Sequence, residues 1–112
     1  MKLYHNPRCS KSRQGLAILK EKNLEFEIVE YLKSPLNKEE ISDIISKLKI
    51  QPIDLVRKNE LVWKEKFKNK NLDNDQILSA LVEYPKLIER PILVNGNSAI
   101  IGRPPEQLIS II

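Results

Sequence analysis

Apolar positions along this chain switch between two periods, and the switch points divide it into short elements. Lys2 to His5 reads as a strand, and Ser12 to Lys22 as a helix with Leu16 and Leu19 on one side. From Leu24 to Tyr31, Leu24, Phe26 and Ile28 alternate with Glu25 and Glu27, the period of a second strand that Ser34-Pro35 ends. Asn37 and Glu40 form a capping box ahead of Ile41, Ile44, Ile45 and Leu48, whose spacing is that of one helical face. Gln51-Pro52 opens a short helical piece through Leu55, and an irregular polar stretch runs from Arg57 to Asn71. Asp73 and Gln76 repeat the capping box for a helix carrying Ile77, Leu78, Leu81 and Val82, which stops before Pro85. Ile92 to Val94, the turn Asn95-Gly96 and Ala99 to Ile101 read as a hairpin. Pro104-Pro105 then leads a last short helix through Leu108, Ile109 and Ile112. The order is β-α-β, a helical middle, then β-β-α, which predicts an α/β fold with a mixed sheet and a helical insertion at about 36–84.

Composition narrows the class. At 112 residues and 41% hydrophobic, the chain has enough apolar surface for one core and one domain. No apolar run approaches the roughly 20 residues that span a bilayer, and Met1 leads straight into a strand without a signal peptide, so a cytoplasmic protein with no membrane contact is expected. The lone cysteine excludes an internal disulfide and a thiolate-rich metal cluster, and with one histidine no metal site is expected.

The net charge of +4 comes from 19 basic against 15 acidic residues. Lys64, Lys66, Lys68 and Lys70 make the one dense basic stretch, with only Trp63 and Phe67 as aromatic neighbours. It reads as a solvated face, with no nucleic-acid partner expected. Only five of the basic residues are arginine: Arg8, Arg13, Arg57, Arg90 and Arg103. Two flank the cysteine, and the others precede Lys-Asn, Pro-Ile and Pro-Pro, at element ends or loops where site residues concentrate.

Cys9 sits in His5-Asn6-Pro7-Arg8-Cys9-Ser10-Lys11-Ser12-Arg13, after the first strand and before the first helix. A thiol at a helix start feels the partial positive charge of unpaired backbone N–H groups, and cationic neighbours add to it. Ionisation matters because the thiolate is the nucleophile. An imidazolium at His5 would act in the same direction, although a strand-end histidine bonded to backbone stays open. Ser12 stands three residues after the cysteine, where its hydroxyl either donates to the sulfur or caps the helix. Guanidinium forks at separated positions suit a tetrahedral oxyanion, to which they give paired hydrogen bonds that an ammonium cannot match.

Four motifs occur in order: His5-Asn6-Pro7-x-Cys9-x-x-Ser12-Arg13, Arg57-Lys58-Asn59, Arg90-Pro91-Ile92 and Gly102-Arg103-Pro104. Together with the element order they resemble the arsenate reductase family that uses glutathione and glutaredoxin, on a thioredoxin-like fold, over nearly the whole chain. The resemblance implies Cys9 as nucleophile, Arg57, Arg90 and Arg103 as oxyanion-binding residues, and His5, Ser12 and Arg13 as local supports. It also implies a cis peptide at Arg90-Pro91 that aims Arg90 at the thiol; an ordinary trans proline at a strand start stays open. Arsenate is then the substrate, and glutathione the co-substrate that attacks a cysteine–arsenate adduct. Glutaredoxin is the partner that regenerates Cys9, and no cofactor is bound. With one cysteine the two electrons must come from external thiols. The phosphatase-like arsenate reductases carry more cysteines and an arginine six residues after the nucleophile, where this chain has Gly15. A monomer is expected.

Two other functions stay open on the same motifs. Cys9-x-x-Ser12 also suits a general glutathione- or glutaredoxin-linked thiol reductase, and the fold is shared by Spx-type regulators that bind RNA polymerase. Those regulators generally carry C-x-x-C, a switch that Ser12 removes here.

Overall fold

The computed structural model describes residues 1–112. The chain forms two compact units, one of Met1–Ser34 with Arg90–Ile112 and one of Pro35–Glu89.

The first unit is a mixed sheet with helices. Strand β1 (Lys2–Tyr4) leads into helix α1 (Ser10–Glu21) and strand β2 (Glu27–Val29). After the second unit the chain returns as β3 (Ile92–Asn95), β4 (Ser98–Ile101) and a closing 3₁₀ helix, Pro105–Ile111. The strand order is β2-β1-β3-β4, with β1 parallel to β2, and β3 antiparallel to both β1 and β4. Leu3 pairs with Ile28 on one side and Leu93 on the other, which places it at the centre of the sheet. Leu3, Leu19, Leu93 and Leu108 form the fully buried core cluster, with Leu16, Leu24, Phe26 and Ile100 packed against it. Each of the strand, helix, hairpin and C-terminal segments supplies one residue to that cluster. Burial at this point is what ties the two ends of the chain together.

Several boundaries differ from the sequence expectation. Helix α1 begins at Ser10, with Cys9 as its N-cap, instead of at Ser12. Strand β2 is three residues long, as β1 is, and it lies at the sheet edge, where Ile28 is 43% exposed in spite of the alternation. The hairpin turn is Gly96-Asn97, since Asn95 still pairs with Ser98; Gly96 takes the positive φ of 61°. A tight turn with Gly at its first central position accepts that angle without a Cβ penalty.

The second unit is helical. Helix α2 (Lys38–Leu48) has the expected capping box, Asn37 Oδ1 accepting from the Glu40 N–H at 2.8 Å and Glu40 Oε1 from the Asn37 N–H at 3.0 Å. The corresponding helix at Asn74–Glu83 is capped the same way by Asp73 and Gln76. Between them lie a 3₁₀ turn, Pro52–Leu55, and helix α3 (Leu61–Lys66), so the stretch expected to be irregular holds a helix. The helix at Asn74–Glu83, α4, is followed by a 3₁₀ turn at Pro85–Leu87. Ile41, Ile44 and Ile45 of α2 and Ile77, Ala80 and Leu81 of α4 are buried, and the two helices pack together. Trp63 is buried, its ring stacked on Phe67 at 5.4 Å, and Phe67 meets Tyr84 edge-on at 5.9 Å. This aromatic contact explains why α3 folds in an otherwise polar stretch. No helix is long and apolar enough to cross a membrane.

Candidate active site

The loop from β1 to α1 is held by its own polar groups. The Cys9 N–H donates to the Asn6 carbonyl at 3.0 Å, and the Arg8 N–H to Asn6 Oδ1 at 3.0 Å. The Arg13 guanidinium reaches back to the Pro7 carbonyl at 3.0 Å. Asparagine is suited to this place because its short side chain closes a turn on the backbone two residues on. Asn6, which the motif alone does not mark out, is buried and organises the turn.

Ser12 does not cap α1. It is fully buried inside the first helical turn, where Oγ lies 2.7 Å from His5 Nδ1 and accepts from the Asn6 N–H at 3.0 Å. Of the two roles open for His5, the imidazolium is not the one this setting favours. Burial is the largest influence and lowers the imidazole, Glu30 and Ser12 oppose it, and the balance leaves His5 below its ordinary 6.5. With the ring neutral, His5 Nδ1 and the Ser12 hydroxyl share one buried hydrogen bond, whose donor is set by the imidazole tautomer. His5 therefore acts by fixing Ser12 and not as a cation beside the sulfur.

The cations that reach Cys9 come from the far end of the chain. Arg103 Nη2 lies 3.6 Å from Sγ, and Arg103 Nε donates to the Arg90 carbonyl at 3.0 Å. Burial pushes the thiol up, but the Ser12 backbone, the hydrogen-bonding Arg90 guanidinium with its charge, and the Lys11 backbone outweigh it. The thiol ends below its ordinary 9.0. The charge that lowers it is that of Arg90, while the sequence neighbours Arg8 and Arg13 are exposed. Arg90 itself is 8% exposed, so its charge acts with little screening.

The Arg90-Pro91 peptide is cis, as is Arg103-Pro104. The Pro91 ring is buried with Leu108 between two glycines: a Cβ on Gly15 or on Gly102 would lie 2.9 Å from Pro91 Cγ and 2.9 Å from a Leu108 methyl carbon. The Gly102 N–H donates to the Pro91 carbonyl at 2.8 Å. These two glycines let α1 and the β4 end close on Pro91, which brings Arg90 and Arg103 alongside Cys9. The sequence shows each glycine without showing this use.

Arg57 stands in the other unit. Its N–H donates to the Leu87 carbonyl at 2.7 Å, and its guanidinium pairs with Glu89 at 2.9 Å and Glu60 at 3.5 Å. The site that the first unit assembles thus consists of Cys9, His5, Ser12, Arg13, Arg90, Pro91 and Arg103, with Asn6 added.

A family model described as the ArsC family matches residues 4–111. The chain belongs to the ArsC family. The match includes all four motifs that carry the resemblance to arsenate reductases. Among its relatives, protein YfgD of Escherichia coli K12 is 42% identical over all of this chain and 96% of its own length. An arsenate reductase of Neisseria meningitidis serogroup B is 40% identical over 100% of this chain and 97% of its own. The solved structure of an arsenate reductase from Vibrio cholerae superposes with a TM-score of 0.94 at 37% identity, covering 100% of this chain and 98% of that one. The mixed sheet with its flanking helices is therefore the thioredoxin-like arsenate reductase fold, as expected from the element order.

Proposed function

We propose that this ArsC-family protein reduces arsenate to arsenite, with Cys9 as the nucleophile and glutathione and glutaredoxin as the electron donors. The observation that carries the reading is the convergence of two guanidinium groups, Arg90 and Arg103, on a thiol whose ionisation is favoured at the start of α1. Relatives named arsenate reductase at about 40% identity over the full length support the substrate.

The proposed chemistry follows from the residues. The Cys9 thiolate attacks arsenic(V), one oxygen leaves as water after protonation, and an S–As bond forms. Arg90 and Arg103 hold the remaining oxygens by charge-assisted hydrogen bonds and offset their negative charge. Glutathione replaces a second oxygen, again released as water. The glutaredoxin thiolate then attacks the glutathione sulfur, the S–As bond breaks with its electron pair left on arsenic, and a glutaredoxin–glutathione disulfide departs. Water cleaves the remaining Cys9–As(III) bond to release arsenite and the thiol. Two thiols thus supply the two electrons, which a lone cysteine cannot do. Arg57 is proposed as a third oxyanion ligand that exchanges a carboxylate partner for substrate. His5, Ser12, Arg13 and Pro91 are positioning residues, and the enzyme is proposed to act as a cytoplasmic monomer without a bound cofactor.

The test is NADPH oxidation coupled through glutathione reductase, glutathione and glutaredoxin, with arsenate or a small glutathione mixed disulfide as substrate. Arsenate-dependent oxidation that requires glutaredoxin and disappears in Cys9→Ser is expected. Turnover of the mixed disulfide with none of arsenate would overturn the reading and leave a general thiol reductase.

A further inference from the structure

The second unit holds a groove of about 450 Å³ lined by Ile53, Lys58, Asn59, Trp63, Lys64, Lys68 and Lys70. It is remote in purpose from the thiol chemistry and built from a stretch to which the proposed reaction assigns only Arg57. Residues 57–70 carry six cationic side chains against two glutamates, an excess equal to the net +4 of the entire chain. The rest of the protein is therefore balanced. Four lysines line the groove without a carboxylate among the lining residues, and none of the four is in an ion pair. Arg57 is occupied by Glu89 and Glu60, and Lys66 lies over the Tyr84 ring at 5.4 Å, so these neighbours are already committed elsewhere.

We propose that this groove is a docking site for an acidic polypeptide segment that also carries an apolar side chain. Concentrating the net charge on one concave surface raises the local concentration of an anionic partner and speeds its encounter. Lysines are compact, mobile point charges, suited to carboxylates strung along a chain, whereas a phosphate cradle favours guanidinium forks or converging backbone N–H groups. Single-stranded nucleic acid requires open aromatic faces for its bases. Trp63 offers none, because it is 7% exposed and stacked on Phe67. Apolar contact is available instead from Ile53 in the lining and from Leu61, 66% exposed one helical turn before Lys64. A solvent-facing leucine beside unpaired lysines is the pattern that an acidic segment with a hydrophobic anchor complements.

Trp63 is the single tryptophan of the chain, so its fluorescence reports on the groove directly. The full chain is titrated with an acetylated peptide of alternating glutamate and leucine at low and at physiological salt. The comparison probes are the glutamine version of that peptide, oligothymidylate and inorganic phosphate. A saturable change with the acidic peptide alone, weaker at the higher salt, is expected. In Lys58→Gln/Lys64→Gln/Lys68→Gln the affinity should fall about tenfold. These lysines are exposed, so the thermal transition should not move; the single Lys64→Glu variant supplies the same comparison with a smaller perturbation. Equal or tighter binding of oligothymidylate, the same change with phosphate alone, no response to the peptide, or unchanged affinity in both variants would each overturn the proposal.

Discussion

Gly102→Ala tests the packing on which the site depends. The new methyl would lie 2.9 Å from Leu108 Cδ2, 2.9 Å from Pro91 Cγ and 3.0 Å from Leu108 Cγ. Carbon atoms rest at about 3.5–4.0 Å, so each contact must open by about half an ångström. Neither neighbour yields easily, because Pro91 is a ring and Leu108 is fully buried in the core cluster. Overpacking of this kind costs about 1–3 kcal/mol, and the lost freedom of the unfolded chain returns about 0.4–1 kcal/mol. The net loss is about 1–2 kcal/mol, which for a domain of this size lowers Tm by about 4–9 °C. The displacement also reaches the thiol, since the Gly102 N–H is bonded to Pro91 and the Arg103 side chain to the Arg90 carbonyl. Alkylation of Cys9 by iodoacetamide at neutral pH should therefore slow along with the loss of stability. Leu108→Val alone costs about 1 kcal/mol, but combined with Gly102→Ala it makes room for the added methyl, so the double variant should be more stable than the sum of the singles. A raised or unchanged Tm for Gly102→Ala, or additivity within about 0.5 kcal/mol in the double variant, would refute the reasoning.

Ser12→Ala leaves His5 Nδ1 and the Asn6 N–H buried without their shared partner and should cost about 1–3 kcal/mol in urea denaturation; an unchanged midpoint at unchanged m contradicts that role. The rate of Cys9 alkylation against pH should show a midpoint below 9.0, and Arg90→Gln should move it upward; coincident profiles would remove Arg90 from the thiolate's support. Because the folded thiol ionises below its unfolded value of 9.0, the unfolded chain holds more protons between the two, so this group's contribution to stability grows through that window. It is fully present above 9.0 and lost as pH falls through the folded value, a difference measured against Cys9→Ser. Arg57→Lys, Arg90→Lys and Arg103→Lys should each lower arsenate turnover about tenfold or more while sparing reduction of a small mixed disulfide, and unchanged arsenate kinetics in all three would remove the oxyanion role.

Periodicity and local chemistry were sufficient for much of the architecture. The capping boxes at Asn37 and Asp73 depend only on residues three apart, so the starts of α2 and α4 could be read directly. Helix α3 could not, because what stabilises it is Trp63 on Phe67 and Phe67 on Tyr84, a contact that spans the gap to the end of α4. Ser12 looked like a cap because hydroxyls favour that place, but the cap is Cys9 and the hydroxyl is taken by His5, on the preceding strand's end.

The sequence by itself determined which residues carry the chemistry: one thiol at a strand-to-helix loop and a few arginines kept apart from the lysine-rich surface. Spacing alone could not determine which cation meets the sulfur, although the family resemblance pointed to Arg90. The near neighbours Arg8 and Arg13 turn to solvent or to the backbone, while Arg90 and Arg103 arrive from the opposite end of the chain. The physical reason is packing. Leu3, Leu19, Leu93 and Leu108 exclude water only when the two ends of the chain lie together, and Gly15 and Gly102 leave the room in which Pro91 can close the distance.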